Sequence, residues 1–515
     1  MKIDMNNLPL DATFLHQLIR DLLTENETLK AQLALLKAKT FGSSSEKTQK
    51  AIEDLELRIE ENDVHALYAK GQPSLSEPDN EAPAQASEKG TPKRKKLPED
   101  LPRKTIVLEP NPICPGCGSK DFRKISDDIS EVLDYIPSSF IVKRTVRPRC
   151  ACCHCETIVQ ADLSNTIDKG KAGPGLLAHV MIQKYADHLP LYRQSEIFER
   201  EGIDISRSTM AGWVQQCSRL LDPLMQRLRD HVFSGTHIHG DDTIVKVLAP
   251  DLGKTKTGRI WTYVRDERPC GDPSPPAACY FYSPDRTGER PREHLKTFTG
   301  VLHADAYSGY DALYKPTETQ TGAPSAARIT EAACWAHARR KFYEVTVTND
   351  KATIALGILN DISEIYRIEA DISGLSPEDR VAKRQELSKP LVLKLFKTME
   401  TTYSKLPPKG ETAKAIAYAL NLREALQRFL DDGRIDIDNN AAERALRSIA
   451  VGRKNWLFAG SDRGGVAAAN FYTLIETLKL NNMNPWTYLQ KVFDIIQDHH
   501  VSKLDELLPW NIKLE

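Results

Sequence analysis

The 515-residue chain lacks any run of about eighteen consecutive apolar residues, the length a helix needs to cross a bilayer. No membrane span is therefore expected. It also lacks net charge: the formal value is −1, so global charge selects no partner and any preference must come from local clusters. The first residues, MKIDMNNLPLD, have neither the basic nor the apolar region of a signal peptide. A cytoplasmic chain is expected, with its ten cysteines kept as thiols or metal ligands. Strand signals are missing from residues 350–430, which are rich in Ala, Leu, Glu and Lys and read as a helical insertion. The chain does have the length for about three to five domains, and 40% hydrophobic residues suffice for sizeable cores.

Residues 10–40 carry a heptad. Leu15, Leu22, Leu29 and Leu36 fall seven apart, and Ile19, Asn26 and Leu33 fill the other seam position. Leucine at one seam position and a lone asparagine at the other predict a parallel two-stranded coiled coil; an amphipathic helix packed on its own domain is the plainer alternative. Phe41-Gly42 stops the helix. A charged, proline-rich linker follows and ends near Lys93-Arg94-Lys95-Lys96, a run that more often marks a solvated cluster than a phosphate contact.

Cys114-Pro-Gly-Cys117 reads as a metal knuckle. A spacer of thirty-four residues separates Cys117 from Cys152, which lies within Cys150-Ala-Cys152-Cys153-His154-Cys155. That string offers two CxxC choices, Cys150/Cys153 and Cys152/Cys155. Either would complete a closed four-cysteine zinc site on a ribbon of strands. Helices are expected over Gly175–Tyr185 and Leu191–Glu201. Gly202 then turns the chain into a third helix capped by Ser206, with Arg207 and Ser208 near its start. Helix, glycine turn and capped helix resemble a helix-turn-helix.

From Thr236 the character changes to strands: Thr236–Leu248, Gly258–Arg265, Cys279–Ser283, Gly300–Ala306 and Arg328–Ala333. Alternation puts His239 and Asp241 on one face of the first and Asp242 on the other. The stretch Ile435–Trp456 then reads as a short strand or extended lead-in through Ile435 and Ile437. A helix follows from near Asn440, with Ala442, Ala445, Leu446 and Ile449 on its buried face. Glu443 is either half of a capping box with Asn440 or a carboxylate beside the cations Arg447, Arg453 and Lys454, which suits a metal-assisted phosphate site. The strand acids Asp241 and Asp305 favour the second reading. Three carboxylates on separate elements can hold two Mg²⁺ ions, which prefer oxygen ligands.

These motifs, in order, resemble the large transposase of the insertion-sequence-66 group, a DDE-type transposase. FGSSSEK, the two cysteine knuckles, KYADHLPLYRQSEIF, ISRSTMAGWV, HGDDT, TGRIWTYVRD, HADAYSGY, CWAHARRKF and DNNAAERALRSIAVGRKNWLFAGS carry the resemblance across nearly the whole chain. It implies a ribonuclease-H-like catalytic core with Asp241, Asp305 and Glu443 as ligands of Mg²⁺ or Mn²⁺. It implies Cys114, Cys117, Cys152 and Cys155 as zinc ligands, since the family usually has an aromatic where Cys150 stands. HGDDT replaces the usual HxDET, so Asp242 stands where the family has Glu. Cys334-x-x-His337 resembles the CxxH string of many such transposases. Two residues do not make a zinc site, so the string is read as active-site architecture, with His337 near the scissile phosphate.

The expected architecture is multidomain α+β. A coiled coil occupies 1–45, a linker 46–100, a DNA-binding zinc ribbon 101–168 and a helix-turn-helix-like helical domain 169–232. The catalytic core runs over 233–349 and, after the helical insertion at 350–430, resumes with the glutamate helix at 431–460; C-terminal helices fill 461–515. The function implied is metal-dependent cleavage at transposon ends and strand transfer into target DNA. Double-stranded DNA is the partner, contacted by Arg207, Ser208, Arg447, Arg453 and Lys454. The chain is expected to be a homodimer or higher homo-oligomer, cytoplasmic and on the bacterial nucleoid when bound, with small accessory proteins encoded alongside. A decayed or regulatory protein that binds ends without cutting would need only the N-terminal modules; intact acids at all three positions favour the active reading. A structure-specific nuclease without strand transfer fits the long DNA-binding N-terminal half less well.

Overall fold

The computed structural model describes residues 140–142, 149–151, 158–160, 165–167, 170, 172–249, 253–316, 327–348 and 353–514. The expected coiled coil, the linker and Cys114, Cys117, Cys152 and Cys155 lie outside the described residues. The chain divides into two compact units, with Pro73–Ala161 forming one and Asp162–Glu515 belonging to the other. In the first, β1 (Arg149–Ala151) and β2 (Ile158–Gln160) pair antiparallel, Cys150 opposite Val159.

Among the described residues of the larger unit, the first helices are α1 (Pro174–Tyr185), α2 (Leu191–Arg200) and α3 (Arg207–Phe233). Gly202 takes a left-handed φ of +80° at the turn, and the Ser206 hydroxyl accepts the Thr209 N–H to cap α3. Arg207 and Ser208 are exposed. Beyond them α3 runs on past Pro223 as a 27-residue spine. Its Arg229 donates to the Asn470 carbonyl oxygen at 2.8 Å, and the Asn470 amide reaches Ser218 and Asp222. The three helices thus belong to the same compact unit as the sheet.

That sheet has five strands in the order β5-β4-β3-β6-β7. They are β3 (His237–Ala249), β4 (Lys254–Arg265), β5 (Ala277–Ser283), β6 (Gly300–Ala304) and β7 (Ile329–Ala333). The first three are antiparallel neighbours, while β6 and β7 continue parallel to β3. All five fall where the sequence pattern places strands. One boundary matters: Asp305, expected inside a strand, lies just beyond β6. The pairing of β3 with β6 ends at His239 and His303, and the Tyr307 N–H bonds back to the Asp305 carbonyl at 2.7 Å, turning the chain. On one face Trp261, Tyr263, Phe298, Leu302 and Tyr310 form a buried core. Gly240 in β3 permits this packing, since a Cβ there would stand 2.9 Å from Leu302 Cδ1.

After β7, α5 (Trp335–Thr348) leads into α6 (Thr353–Asp371), α7 (Pro377–Lys383), α8 (Lys389–Tyr403), α9 (Glu411–Asn421) and α10 (Arg423–Gln427). Their apolar stripes close on a second core with Trp335, Phe396, Phe429, Ile435 and Ile437. Ile435 and Ile437 form no strand. They are buried in an irregular lead-in, where the Trp335 N–H takes the Ile437 carbonyl. The chain then enters α11 (Asn440–Asn455), α12 (Asp462–Leu480) and α13 (Pro485–Ile495). Among the described residues no helix is long and apolar enough to cross a membrane.

Candidate active site

The parallel pair β3 and β6 sets the geometry. His239 stands opposite His303, and their rings stack at 5.2 Å. Asp241 and Asp305 each follow two residues later, so they share one face where the two strands part, Asp305 just beyond the end of β6 and Asp241 within β3, which runs on to Ala249 beside β4. The crevice where neighbouring parallel strands diverge is where open α/β sheets gather functional groups. Burial, and then the Asp305 carboxylate, push the Asp241 carboxyl well above its ordinary range. Glu443 adds to the shift and the Asp242 N–H, 2.7 Å from Asp241 Oδ1, opposes it. Asp305 is raised by burial and relieved by Arg286, whose Nη2 stands 4.0 Å away.

Glu443 arrives from α11, which is pinned across the sheet at three points. Asn439 donates to the Gly240 carbonyl at 2.9 Å, Tyr280 of β5 donates to the Ala445 carbonyl at 2.7 Å, and Arg453 donates to the Ile244 carbonyl at 2.6 Å. The face of α11 turned inward is Ala442, Ala445, Leu446, Ile449 and Gly452. The capping-box reading of Glu443 is wrong. Asn440 is already the first helical residue, and its amide and backbone N–H both bond to Asp438. The cap position belongs to Asn439, whose side chain makes no cap bond. Wholly buried, it spends its amide on Gly240 and accepts the His239 Nδ1 hydrogen at 3.1 Å, while its backbone N–H meets Cys334 Sγ at 3.2 Å.

A cleft of about 280 Å³ opens over these groups. Asp241, Asp242, His337 and Glu443 line it together with Arg340, Arg444, Arg447 and Arg453. Carboxylates facing four arginines suit a polyanion held beside a cation. Of the expected DNA contacts, Arg447 and Arg453 thus reach the cleft, Arg453 also fastening the backbone of β3. Lys454 is exposed but not part of the lining, and Arg207 and Ser208 sit on a separate surface at the start of α3. His337 Nδ1 is buried without a hydrogen bond, 3.7 Å from Glu443 Oε1. Burial, with Arg340 and Lys341 nearby, lowers its pKa to about 4, so the ring is neutral.

Sequence reasoning missed two things here, the arginines on Asp242 and the role of Asn439. Asp242 is locked by Arg259 and Arg286, both at under 3 Å, with 1% of its side chain exposed. Asn439 latches helix to strand. Cys334 and His337, expected as active-site architecture, come within reach of Glu443. One signal was readable: His-x-Asp occurs twice, at His239–Asp241 and His303–Asp305, as two strands in matched register would require.

Comparison with known proteins decides the lineage. The family model described as "Transposase IS66 family" matches residues 169–467, which contain the whole cleft. The chain belongs to the IS66 transposase family. Further IS66 models match its flanks. "Zinc-finger binding domain of transposase IS66" covers 111–156, "Transposase C of IS166 homeodomain" 28–106 and "IS66 C-terminal element" 473–510. The zinc-finger match spans Cys114, Cys117, Cys152 and Cys155. Two relatives from Sinorhizobium fredii (strain NBRC 101917 / NGR234) extend the likeness over the whole length. "Uncharacterized protein y4hP" is 39% identical over 94% of this chain and 88% of its own. "Uncharacterized protein y4jD" is 33% identical over 100% and 99%. An IS66-family transposase with DNA-binding zinc-finger and zipper-like segments is a DNA-processing protein.

Proposed function

We propose that this IS66-family chain cuts DNA at transposon ends and joins the freed 3′-hydroxyl to target DNA, with Asp241, Asp305 and Glu443 as the carboxylates of a divalent-metal site on a ribonuclease-H-like core. The observation that carries the reading is the like-charge crowding at Asp241. A half-buried carboxylate that faces two others is unfavourable by itself and becomes favourable when a cation joins it. The mixed strand order and the two aspartates where parallel strands β3 and β6 part support the same core. Oxygen-only donors fit Mg²⁺ or Mn²⁺. When bound, such ions supply charge neutralisation at the scissile phosphate and an activated attacking oxygen.

The protein's own groups do the rest. Arg340, Arg444 and Arg447 grip backbone phosphates and orient the strand across the acids. Arg286 and Arg259 hold Asp242, and through it the backbone N–H that fixes Asp241. His337, neutral, serves as a hydrogen-bonding group beside the phosphate rather than as a cation. Cys114, Cys117, Cys152 and Cys155 would close around a structural Zn²⁺, and Arg207 and Ser208 would present an exposed helix start to the element's ends.

The test is incubation of purified protein with Mg²⁺ and DNA carrying the element's ends. Asp305→Ala is expected to abolish cleavage and joining while binding the ends like the parent. Glu443→Gln is expected to fold normally, since no capping box depends on it, and to lose cleavage. Parent-rate cleavage by either variant would remove the carboxylate assignment.

A further inference from the structure

One group of ligand-type atoms beside the aspartates includes a cysteine, Cys334, that has no part in the chemistry so far. Cys334 closes the loop after β7, His337 stands in the first turn of α5, and Glu443 comes from α11. A sulfur, a nitrogen and an oxygen from these residues all lie within 4.8 Å of one another. In the sequence, Cys334 and His337 are too few to hold an ion; the fold brings the third donor. We propose that Cys334, His337 and Glu443 form a binding site for a zinc-class ion, separate from the oxygen-only site, and that its occupation halts DNA cleavage by drawing Glu443 away from Asp241.

The donor chemistry separates the two sites. One thiolate, one imidazole and one carboxylate, with a water in the fourth position, is a tetrahedral set that zinc accepts and Mg²⁺ does not. At mixed sulfur–nitrogen–oxygen sites the softer divalent ions bind far more tightly than the hard ones. His337 Nδ1 is buried with no hydrogen-bond partner, 3.7 Å from Glu443 Oε1, and in the tautomer protonated at Nε2 it presents a lone pair to an ion. Cys334 is a buried free cysteine, and its sulfur already accepts the Asn439 N–H, a bond that strengthens when the sulfur carries charge. Coordination exchanges the thiol proton for the ion, and that proton leaves to solvent through the cleft. Glu443 is the only donor common to this set and to the proposed catalytic set, so one carboxylate serves two competing ions.

Ion binding stands alone, whereas the inhibitory half rests on the catalytic reading above. Cobalt(II), a spectroscopic stand-in for zinc, is titrated into the full-length parent, Cys334→Ser and His337→Gln. The parent is expected to take up about one more thiolate-bound equivalent than either variant, any cobalt in the cysteine knuckles being common to all three. Far-UV circular dichroism checks that the variants remain folded. Equal uptake by the three folded proteins overturns the site. In the cleavage assay with Mg²⁺, half-inhibition of Cys334→Ser should need roughly 10–100-fold more zinc than the parent, each rate taken relative to its own zinc-free value. Equal zinc sensitivity overturns the inhibitory half. If the extra cobalt binds yet Asp305→Ala cleaves at the parent rate, the catalytic reading has failed and the ion site stands.

Discussion

Asp241 and Asp242 are neighbours in sequence with opposite surroundings. Asp242 is held by two arginines; Asp241 faces two further carboxylates. Alternation along a strand separates them to opposite faces, and that much was legible. The arginines were not, because Arg259 meets Asp242 across a strand pair and Arg286 comes from the turn after β5, contacts that only register and turn geometry set. The contrast has a measurable consequence. The native pKa of Asp241 lies above its unfolded value, so the folded state binds more protons. Its contribution to stability is fully present below about pH 4, the ordinary carboxylate value, and is lost as pH rises through the raised native value. Metal-free Asp241→Asn is therefore expected to melt above the parent at pH 7, the gap closing toward pH 4. Mg²⁺ should raise the melting temperature of the parent at pH 7 and leave the variant nearly unmoved. Calorimetry with EDTA or Mg²⁺ checks both; an equal Mg²⁺ response in the two proteins would place the ion elsewhere.

At the scale of the element, α11 shows what a helical pattern reveals and what it hides. Its buried stripe, Ala442, Ala445, Leu446 and Ile449, follows from 3.6-residue spacing. Its N-terminus does not, because a cap preference assumes the asparagine bonds its own helix. Asn439 instead bonds the residue before Asp241, and it is this tertiary contact that fixes where Glu443 stands. Asn439→Ala would leave the Gly240 carbonyl and His239 Nδ1 without partners in a buried place, costing about 1–3 kcal/mol for each group. Asn439→Asp retains an acceptor for His239 but cannot donate to Gly240. Both variants are expected to lose DNA cleavage by a larger factor than their stability loss explains, under conditions where circular dichroism shows them fully folded. Cleavage at the parent rate by folded Asn439→Ala would reduce the latch to a stabilising contact.

Across the whole larger unit, the helical insertion braces the site. Arg384 is wholly buried, paired with both oxygens of Glu369 at 2.8 and 2.5 Å, and it also holds the carbonyls of Phe429 and Asp432. Arg380 bonds Asp436 at 3.1 Å. Asp432 and Asp436 in turn approach His237 and His239 of β3 at 3.0 and 3.7 Å. The insertion's helices were legible from composition, but this run of charges was not, since its members lie far apart in sequence. Arg384→Met leaves the buried Glu369 carboxylate to Arg380, 3.5 Å away and shared with Asp436, and is expected to cost up to about 3–5 kcal/mol. Adding Glu369→Leu should restore most of that, as a double-mutant thermal denaturation cycle would show; no recovery would mean that the backbone carbonyls carry the contact. The latch between His239 and Asn439 spans 200 residues, and this separation governs the order of events on the ribosome. The strand with Asp241 emerges first, the whole insertion follows, and Asn439 and Glu443 come late. Pairings this distant in sequence form slowly and only after the intervening chain has folded. A growing polypeptide therefore carries its aspartates through synthesis of the whole insertion with no third carboxylate to join them, and the complete cleft arises only as the protein nears release.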